Sequence, residues 1–523
     1  MDAALRESGH GTGLKKTLGA FDLTMLGVGA IIGAGLFSSI KEMITGRTLG
    51  DGSLFVGAGP AVSLSFALTA VACGFAALCY AEIAAMFPVA GSAYSYSYVA
   101  FGELIAWIIG WDLLVEYAIG NVYVAQAWAD YFNALLRGLS DGAWHVPDWL
   151  CTNFQTATAR VAEATSTLAD PAAAADLVAK ATGARPDPAA LATSARQVLD
   201  AFAAAPRVTL PFFGAAVLGV NLPAMAITLL LTVLLVRGIR ESARMNTAMV
   251  VLKVLLVGVF IALGFGHVDP KNWQPFMPNG FTGVWHGAAL GFFAYIGFDA
   301  VSTSAEECRN PQKDLPRGMI WSLVLCTVLY IAAALVLTGI VPWDKLEGND
   351  PLAMAFEHIG MTGASTAMAF GAVVAMAAVL LVFQLGQTRI FYVMARDGLL
   401  PKKFASVHPR FQTPAFNTWV TGIVVALSCS LLTPDQAIGL TNIGTLFAFV
   451  LVSIGVIVLR QRDPDRPRPF RVPGYPFTPI ISALACIGLI FGLESSNWLR
   501  FVIWLAIGVF VYLIYGIRKS RLA

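Results

Sequence analysis

Apolar stretches of about 20 residues recur along the chain from residue 21 to residue 516, and most are long enough to cross a bilayer as helices. The pattern predicts twelve of them, at 21–41, 60–81, 103–135, 217–236, 245–265, 284–305, 316–341, 362–391, 415–432, 436–459, 477–494 and 498–516. We therefore expect an all-α membrane protein with one domain at 21–517, an N-terminal tail at 1–20 and a C-terminal tail at 518–523.

The composition is typical of an integral membrane protein. Hydrophobic residues make up 57% of the sequence and charged residues 13%, whereas a soluble domain carries roughly 25% charged residues. The formal net charge of +2 gives no reason to expect nucleic acid as a partner. Seven cysteines are scattered along the chain, in neither a disulfide framework nor a metal-binding spacing.

Lysine and arginine cluster in the two tails and in every second loop, and such loops stay in the cytoplasm. We therefore expect a multi-pass protein of the cytoplasmic (inner) membrane with both termini cytoplasmic. The polar stretch at 137–214 then becomes a long extracytoplasmic loop. Its alanine-rich composition and Asp-Pro pairs predict short surface helices. Three roles stay open for this loop: a passive elaboration, a cap over the access path, or a partner site.

The first predicted helix contains the sequence GVGAIIGAGLF, in which four glycines interrupt an apolar run. Glycine destabilises the interior of a helix. Four glycines here therefore indicate that the segment needs an exposed backbone for another reason. A broken membrane helix exposes N–H groups to an anion and carbonyls to a cation. We take Gly33, Ala34 and Gly35 as candidates for binding a carboxylate. A helix-packing face on Gly29 and Gly33 is the alternative, since a dinucleotide fingerprint would need a soluble βαβ unit.

The sixth predicted helix repeats this feature in GFFAYIGFDAVSTSAEE, five helices after the first. Interruptions in corresponding positions indicate an inverted repeat with a binding site between its halves. Helices 1–5 and 6–10 are then the two repeats, helices 11 and 12 are additional, and helices 1 and 6 are discontinuous.

Charged residues inside the membrane are functional candidates because they are expensive to bury. Lys253 lies nine residues beyond Arg244, or roughly 13 Å deep at about 1.5 Å per residue. It could exchange a proton, occupy a cation site or form a structural charge pair. Glu116 is a candidate for the proton path or for a counter-charge to Lys253.

Asp299 in helix 6 could take a direct role or accept hydrogen bonds between helices, and the same alternative applies to Glu116. Glu82, Glu306 and Glu307 lie near predicted cytoplasmic helix ends. A gate or a helix-pairing salt bridge is therefore predicted for these three rather than contact with a substrate.

The coupling ion is inferred from helix 8. A sodium site between helices 1 and 8 would need hydroxyl oxygens, but residues 367–387 contain no serine or threonine. With Lys253 supplying a fixed positive charge, coupling to protons, or exchange without an ion, is favoured over coupling to sodium. Neither a metal nor another cofactor is expected.

Several motifs together resemble the amino acid–polyamine–organocation superfamily, in particular bacterial members of the cationic amino acid transporter family. They are GVGAIIGAGLF, LCYAEIAAMFPVAGSAYSY, FGELIAWIIGWDLLVEY, FFAYIGFDAVSTSAEECRNPQKDLPRG, GQTRIFYVMARDGLLP and RPFRVPGYP. The resemblance covers nearly the whole chain apart from the long loop. It implies two inverted five-helix repeats followed by two further helices.

The resemblance also implies roles for individual residues. The backbone of Ile31, Ile32, Gly33, Ala34 and Gly35 would hold an amino acid, with the last three at its carboxylate. Carbonyls around Ile31 and in the second break would receive its amine; that break comprises Phe293, Ala294, Tyr295 and Ile296. Lys253 falls where proton-coupled members carry a lysine in place of sodium, and Glu116 matches a family glutamate. Ala34 departs from the family's usual serine or threonine.

Met376, midway along helix 8, faces the pocket according to the same resemblance, and its bulk would favour small neutral side chains. We expect proton-coupled uptake of small neutral amino acids by alternating access, with cationic ones as an alternative cargo. Amino acid exchange is the second interpretation, and a sensor or a membrane-embedded enzyme is remote. The expected partners are the amino acid and membrane lipid, without an obligate protein partner.

Overall fold

A computed structural model describes residues 18–48, 54–88, 92–182, 187–210, 214–238, 243–346 and 348–520. Most of the predicted tail at 1–20 and part of that at 518–523 lie outside these ranges. Ten membrane helices keep their predicted order without a break, and their bounds are: helix 2 Val62–Met86, helix 3 Glu103–Leu139, helix 4 Leu222–Arg237, helix 5 Ala243–Phe265, helix 7 Pro311–Ile340, helix 8 Thr362–Arg396, helix 9 Ala415–Leu431, helix 10 Pro434–Arg462, helix 11 Phe477–Phe491 and helix 12 Ser495–Val511.

Helices 1 and 6 are discontinuous. Helix 1a is Ala20–Ile31, and helix 1b continues as Ala34–Phe37 and Ile40–Thr45. Helix 6a is Gly280–Gly291, followed by a short 3₁₀ turn at Phe292–Tyr295 and by helix 6b at Asp299–Glu307. Eight of the described helical spans are long and apolar enough to cross a membrane, and four shorter apolar helices accompany them. The predicted all-α membrane fold is thereby confirmed.

The two predicted repeats pack against each other through corresponding helices. Helix 3 lies along helix 8, helix 2 along helix 7, and helix 4 along helix 9. The halves of helix 1 likewise contact those of helix 6. Large apolar side chains stay exposed on the outward faces of helices 5, 9, 11 and 12, as expected for helices at the surface of a membrane domain. The breaks in helices 1 and 6 are therefore surrounded by protein, as a non-helical backbone in a membrane requires.

The long loop is a folded unit. It contains three loop helices, L1 at Phe154–Ala169, L2 at Pro171–Thr182 and L3 at Pro188–Ala201. An antiparallel hairpin follows, with strands Arg207–Leu210 and Gly214–Val217. The prediction that helix 4 begins at residue 217 is wrong, because Val217 ends the second strand and the helix begins at Leu222. A small core of Ala157, Phe202, Ala205 and Val217 holds the loop together. We call the side of the membrane domain that carries this loop the loop side, and the opposite one the N-terminal side.

Candidate functional site

Helix 1a ends where Ile32 takes up an extended conformation, and helix 1b begins one residue later. The backbone N–H groups of Leu36 and Phe37 donate to the carbonyl of Gly33. Those of Gly33, Ala34 and Gly35 have no acceptor among the residues that the structure describes. Three neighbouring donors therefore point away from the helix ladder at the predicted carboxylate position, as an anion site requires.

Helix 6 breaks at Ile296 and Gly297. Gly297 has a φ of +120°, which L side chains rarely adopt. Its N–H group donates to Oδ1 of Asp299 at 3.3 Å, which links the break to the buried first residue of helix 6b. This partner of Asp299 belongs to helix 6 itself, so the predicted direct role and the predicted hydrogen bond to another helix both stay predictions.

The two breaks touch each other at small residues. A β-carbon at Gly35 would lie 2.3 Å from the Cα of Ala294, and a β-carbon at Gly297 would lie 2.8 Å from the Cβ of Ala30. Each half of one helix therefore approaches the broken backbone of the other. Gly33 instead faces helix 8, where a β-carbon would lie 2.9 Å from a methyl group of Val379. The predicted segments Ile31–Gly35 and Phe293–Ile296 are brought together in one buried place.

Side chains from neighbouring helices satisfy the carbonyls that the helix 1 break leaves without an intrahelical donor. Nζ of Lys253 donates to the carbonyl of Gly29 at 2.6 Å, and Lys253 is only 2% exposed. In an unbroken helix the N–H group of Gly33 would occupy that carbonyl. The Tyr330 hydroxyl lies 2.8 Å from the carbonyl of Ile31 and 3.0 Å from that of Ala294. One hydroxyl thus serves both breaks, at carbonyls that were predicted to receive an amine.

The carbonyls of helix 6 are held in the same way. The Thr69 hydroxyl donates to the carbonyl of Ala288 at 2.9 Å. The amide of Asn442 on helix 10 donates to those of Ala289 and Leu290 at 2.9 and 3.1 Å. The end of helix 6a is therefore fixed between helices 2 and 10.

Helix 3 carries two buried carboxyl groups one turn apart. Neither Glu116 nor Asp112 finds a hydrogen-bond partner for its oxygens among the described residues. Both are essentially inaccessible to solvent, and an ionised carboxylate without donors is expensive to bury. These groups are thus suited to holding protons. The sequence reading named Glu116 and overlooked Asp112, although both interrupt the same apolar run.

A cavity of about 270 Å³ opens from the N-terminal side toward the breaks. Helix 1a, helix 6b and helix 8 line it, and its far end reaches Ala30, beside the second break. Charged residues of both signs line this cavity: Asp22, Glu307 and Arg389. Glu306 lies in helix 6b, but its side chain falls outside the described residues.

The loop side is closed above the breaks. The rings of Tyr123 and Phe293 make an edge-to-face contact with centroids 4.9 Å apart. Further out, Arg47 at the end of helix 1b binds Glu42 at 3.0 Å and Asp435 of helix 10 at 2.6 Å, and it also pairs with Glu494 before helix 12. We call these four charged residues the Arg47 cluster. The structure is therefore open toward the N-terminal side and closed toward the loop side.

Glu82 is far from the breaks, at the N-terminal-side end of helix 2. Its carboxylate accepts from Nε of Arg460 at 2.8 Å and from the backbone N–H of Val472 at 2.6 Å, and Arg468 lies 3.6 Å away. This cluster ties helix 2 to helix 10 and to the connection that follows it. The predicted gate or helix-pairing role of Glu82 stays a prediction.

Met376 is fully buried on helix 8, one turn before Val379, which contacts the helix 1 break. Sequence reasoning missed Tyr330, Asn442, Thr69 and Val379. Asn442 is a polar residue in an apolar run and could have been noticed by that criterion. Tyr330 and Val379 are ordinary residues of membrane helices, so only the fold reveals their position.

Comparison with known proteins gives one consistent result. The family model described as amino acid permease matches residues 18–515. A methylthioribose transporter of Bacillus subtilis is 42% identical over 509 residues, covering 97% of this chain and 95% of that protein. The branched-chain amino acid permease BcaP of the same bacterium is 42% identical over 510 residues, with the same two coverages of 97% and 95%. Human cationic amino acid transporter 4 is 34% identical over 474 residues, covering 88% of this chain and 62% of that protein.

Proposed function

Because this chain belongs to the amino acid permease family, we propose that it takes up neutral amino acids together with protons, by alternating access across the cytoplasmic membrane. Family membership already makes it a transporter of amino acids and not an enzyme. The proposal adds the coupling ion, the class of cargo and the direction.

The contact between Lys253 and Gly29 carries the proposal. A positively charged group bound to the carbonyl just before the helix 1 break stabilises the broken conformation. Loss of its proton would weaken that contact and change the balance between conformations. Binding and release of a proton at Lys253 would thereby be linked to the site that holds the amino acid, and the two buried carboxyl groups of helix 3 are further proton carriers.

The class of cargo is proposed from the apolar residues around the breaks. Val379 touches the helix 1 break and Met376 lies one turn away, so that part of the wall is aliphatic. Two relatives are named as branched-chain amino acid permeases, from Bacillus subtilis and Lactococcus lactis. We therefore propose small and branched aliphatic amino acids, in preference to arginine or lysine.

Transport in reconstituted liposomes under an imposed pH gradient tests the coupling. Symport of one proton predicts up to about tenfold accumulation of the amino acid for each pH unit, since a tenfold ratio corresponds to about 1.4 kcal/mol. For Lys253→Met we expect the gradient to lose its effect while downhill exchange continues. Lys313→Met, at an exposed lysine on the N-terminal side, is the matched control. Acceleration of Lys253→Met by the gradient to the same extent as wild type would remove Lys253 from the mechanism.

The same assay separates uptake from exchange. If external amino acid enters only when the liposomes are loaded with amino acid, and the pH gradient has no effect in wild type, the protein is an exchanger. That result would overturn proton coupling but leave amino acid transport intact.

A competition panel tests the cargo. We expect valine, leucine and alanine to inhibit uptake of labelled leucine more strongly than arginine or methylthioribose does. Met376→Ser, which removes bulk and apolar surface, should strengthen inhibition by arginine relative to leucine. Arginine as the strongest competitor, with no change in Met376→Ser, would contradict the proposed cargo.

A further inference from the structure

A second cavity, on the loop side, has no role in the mechanism proposed above. A cavity of about 860 Å³ lies between loop helix L1 and the ends of helices 3, 10 and 12. We call it the vestibule. A space of this size is typical of sites for small molecules. Its wall is polar, and six of the residues that line it matter here: Gln126, Asp130, Arg160, Asp435, Glu494 and Arg500.

Loop helix L1 is fixed in place as one wall of the vestibule. The amide of Gln155 on L1 donates to the carbonyl of Leu431 at 2.8 Å, and its oxygen accepts from Gln436 of helix 10 at 3.0 Å. Asn221 before helix 4 donates to the carbonyl of Cys151 at 3.2 Å, which anchors the start of the loop. The loop therefore encloses this space with a defined surface.

A buried acceptor at the floor of the vestibule has no partner. Gln126 is 3% exposed, and its amide nitrogen donates to the carbonyls of Cys429 and Leu432 at 2.9 and 2.8 Å. These two bonds fix the orientation of the amide. Its oxygen finds no donor among the described residues. Burial of an acceptor without a donor is unfavourable, and a donor from a ligand would remove that penalty.

Opposite charges flank this acceptor without neutralising each other. Asp130 lies one turn from Gln126 on helix 3, and Arg160 projects from L1. Both side chains line the vestibule, and no ion pair within 4 Å joins them in the described part of the chain. The Asp130 carboxylate and the Gln126 oxygen are the acceptors that an ammonium group needs, and Arg160 is a donor for a carboxylate. An amino acid carries both groups on one carbon atom.

The vestibule also lies on the line of access to the breaks. Tyr123, which contacts Phe293 of the second break, is one turn from Gln126 on the same face of helix 3. On the other flank, Asp435 and Glu494 belong to the Arg47 cluster at the end of helix 1b. A movement of helix 1b that opened the loop side would therefore act directly on this space.

We propose that the vestibule is a second binding site for the transported amino acid, in which the zwitterion is held between Asp130 and Arg160 before it passes Tyr123. This inference rests on the proposed amino acid transport. It also gives the long loop a function, because L1 supplies the arginine that recognises the carboxylate.

Sided transport measurements test the proposal with Asp130→Asn and Arg160→Gln. Both side chains are partly accessible, so the fold should tolerate the changes. Uptake from the loop side should show a half-saturating concentration about 5- to 20-fold higher, with the maximal rate retained, because a charge-assisted contact is lost. Transport started from the N-terminal side should be unchanged. Asp200→Asn and Arg196→Gln, at exposed positions on L3 away from the vestibule, are the matched controls.

Equilibrium binding gives an independent readout. Solubilised wild type should bind two molecules of labelled amino acid per chain at high concentration, and the double variant at Asp130 and Arg160 should bind one. One molecule per chain in wild type, or equal effects of the variants on transport from both sides, would overturn the vestibule site. Absence of any amino acid binding or transport by wild type would instead overturn the proposed function itself.

Discussion

The two helix breaks look alike in the sequence but differ in what they offer a ligand. The break in helix 1 leaves three backbone N–H groups without an acceptor among the described residues, whereas the carbonyls at the end of helix 6a are bound by Thr69 and Asn442. The first break is therefore prepared for an anion, and the second is fixed to its neighbours. Glycine marks both places for different reasons: Gly297 supplies an unusual backbone conformation, and Gly35 allows a close approach.

The largest effect is expected from a side chain placed at Gly35, where the two breaks approach each other most closely. In Gly35→Val a side chain would meet the backbone of Ala294, which cannot move away as the end of a flexible side chain could. We expect transport to fall by about 100-fold or more, because the two breaks can no longer approach each other. The measurement is uptake normalised to the amount of folded protein in the membrane. Gly363→Val, at a glycine with open space around it, should transport normally.

A comparison of Gly297→Ala with Gly33→Ala separates the effect of an unusual backbone conformation from the effect of a close side-chain contact. Gly297 has a positive φ and faces the backbone of Ala30, so alanine is strained there by about 1–3 kcal/mol. Gly33 is extended and faces a methyl group of Val379, which a small adjustment can accommodate. We expect Gly297→Ala to lower thermal stability and transport clearly, and Gly33→Ala to retain at least a fifth of the transport rate. Equal losses in both variants would contradict this assignment.

Tyr330→Phe tests whether the two breaks are joined through one hydroxyl. The variant keeps the ring but leaves the carbonyls of Ile31 and Ala294 without this donor. We expect a destabilisation of about 1–3 kcal/mol, measured as a lower melting temperature. A bound amino acid should reverse part of it, because its ammonium group can donate to the same carbonyls. Tyr392→Phe, near the N-terminal-side end of helix 8, is the control, and an equal shift in both variants would argue against the bridge.

The smallest effect is expected at the Arg47 cluster, which holds helix 1b and leaves helix 6a untouched. In Arg47→Gln the loop side should open more often, so that Cys151 in the vestibule reacts about two- to threefold faster with a membrane-impermeant maleimide. Arg137→Gln removes an exposed ion pair with Asp148 on the same side and should leave the rate unchanged. A rate in Arg47→Gln equal to wild type would show that this cluster does not hold the loop side closed.

Much of the architecture follows from the sequence because lipid imposes strong constraints. Runs of apolar residues gave the twelve helices, and glycines in mid-membrane located both breaks near Gly33 and Gly297. Lys253 was singled out by its depth and by the family resemblance, and its ammonium group contacts the carbonyl of Gly29 before the first break. These predictions are possible because charged side chains and exposed backbone groups are rare in the hydrocarbon core of a membrane, so each occurrence indicates a special site.

The partners of the breaks could not be predicted in the same way. Tyr330 is one tyrosine among several in apolar helices, and its contact with Ile31 spans 299 residues of sequence. The vestibule depends on the packing of loop helix L1 against helix 10, which no local pattern encodes. The hairpin before helix 4 was missed because its small apolar residues continue smoothly into the helix.

The most direct test of the central claim is a cryo-electron microscopy structure with a saturating neutral amino acid bound. The account predicts that the substrate carboxylate lies about 2.7–3.2 Å from the backbone nitrogens of Gly33, Ala34 and Gly35, with the aliphatic side chain toward Val379. A carboxylate bound elsewhere, while helix 1 runs unbroken through these residues, would contradict it.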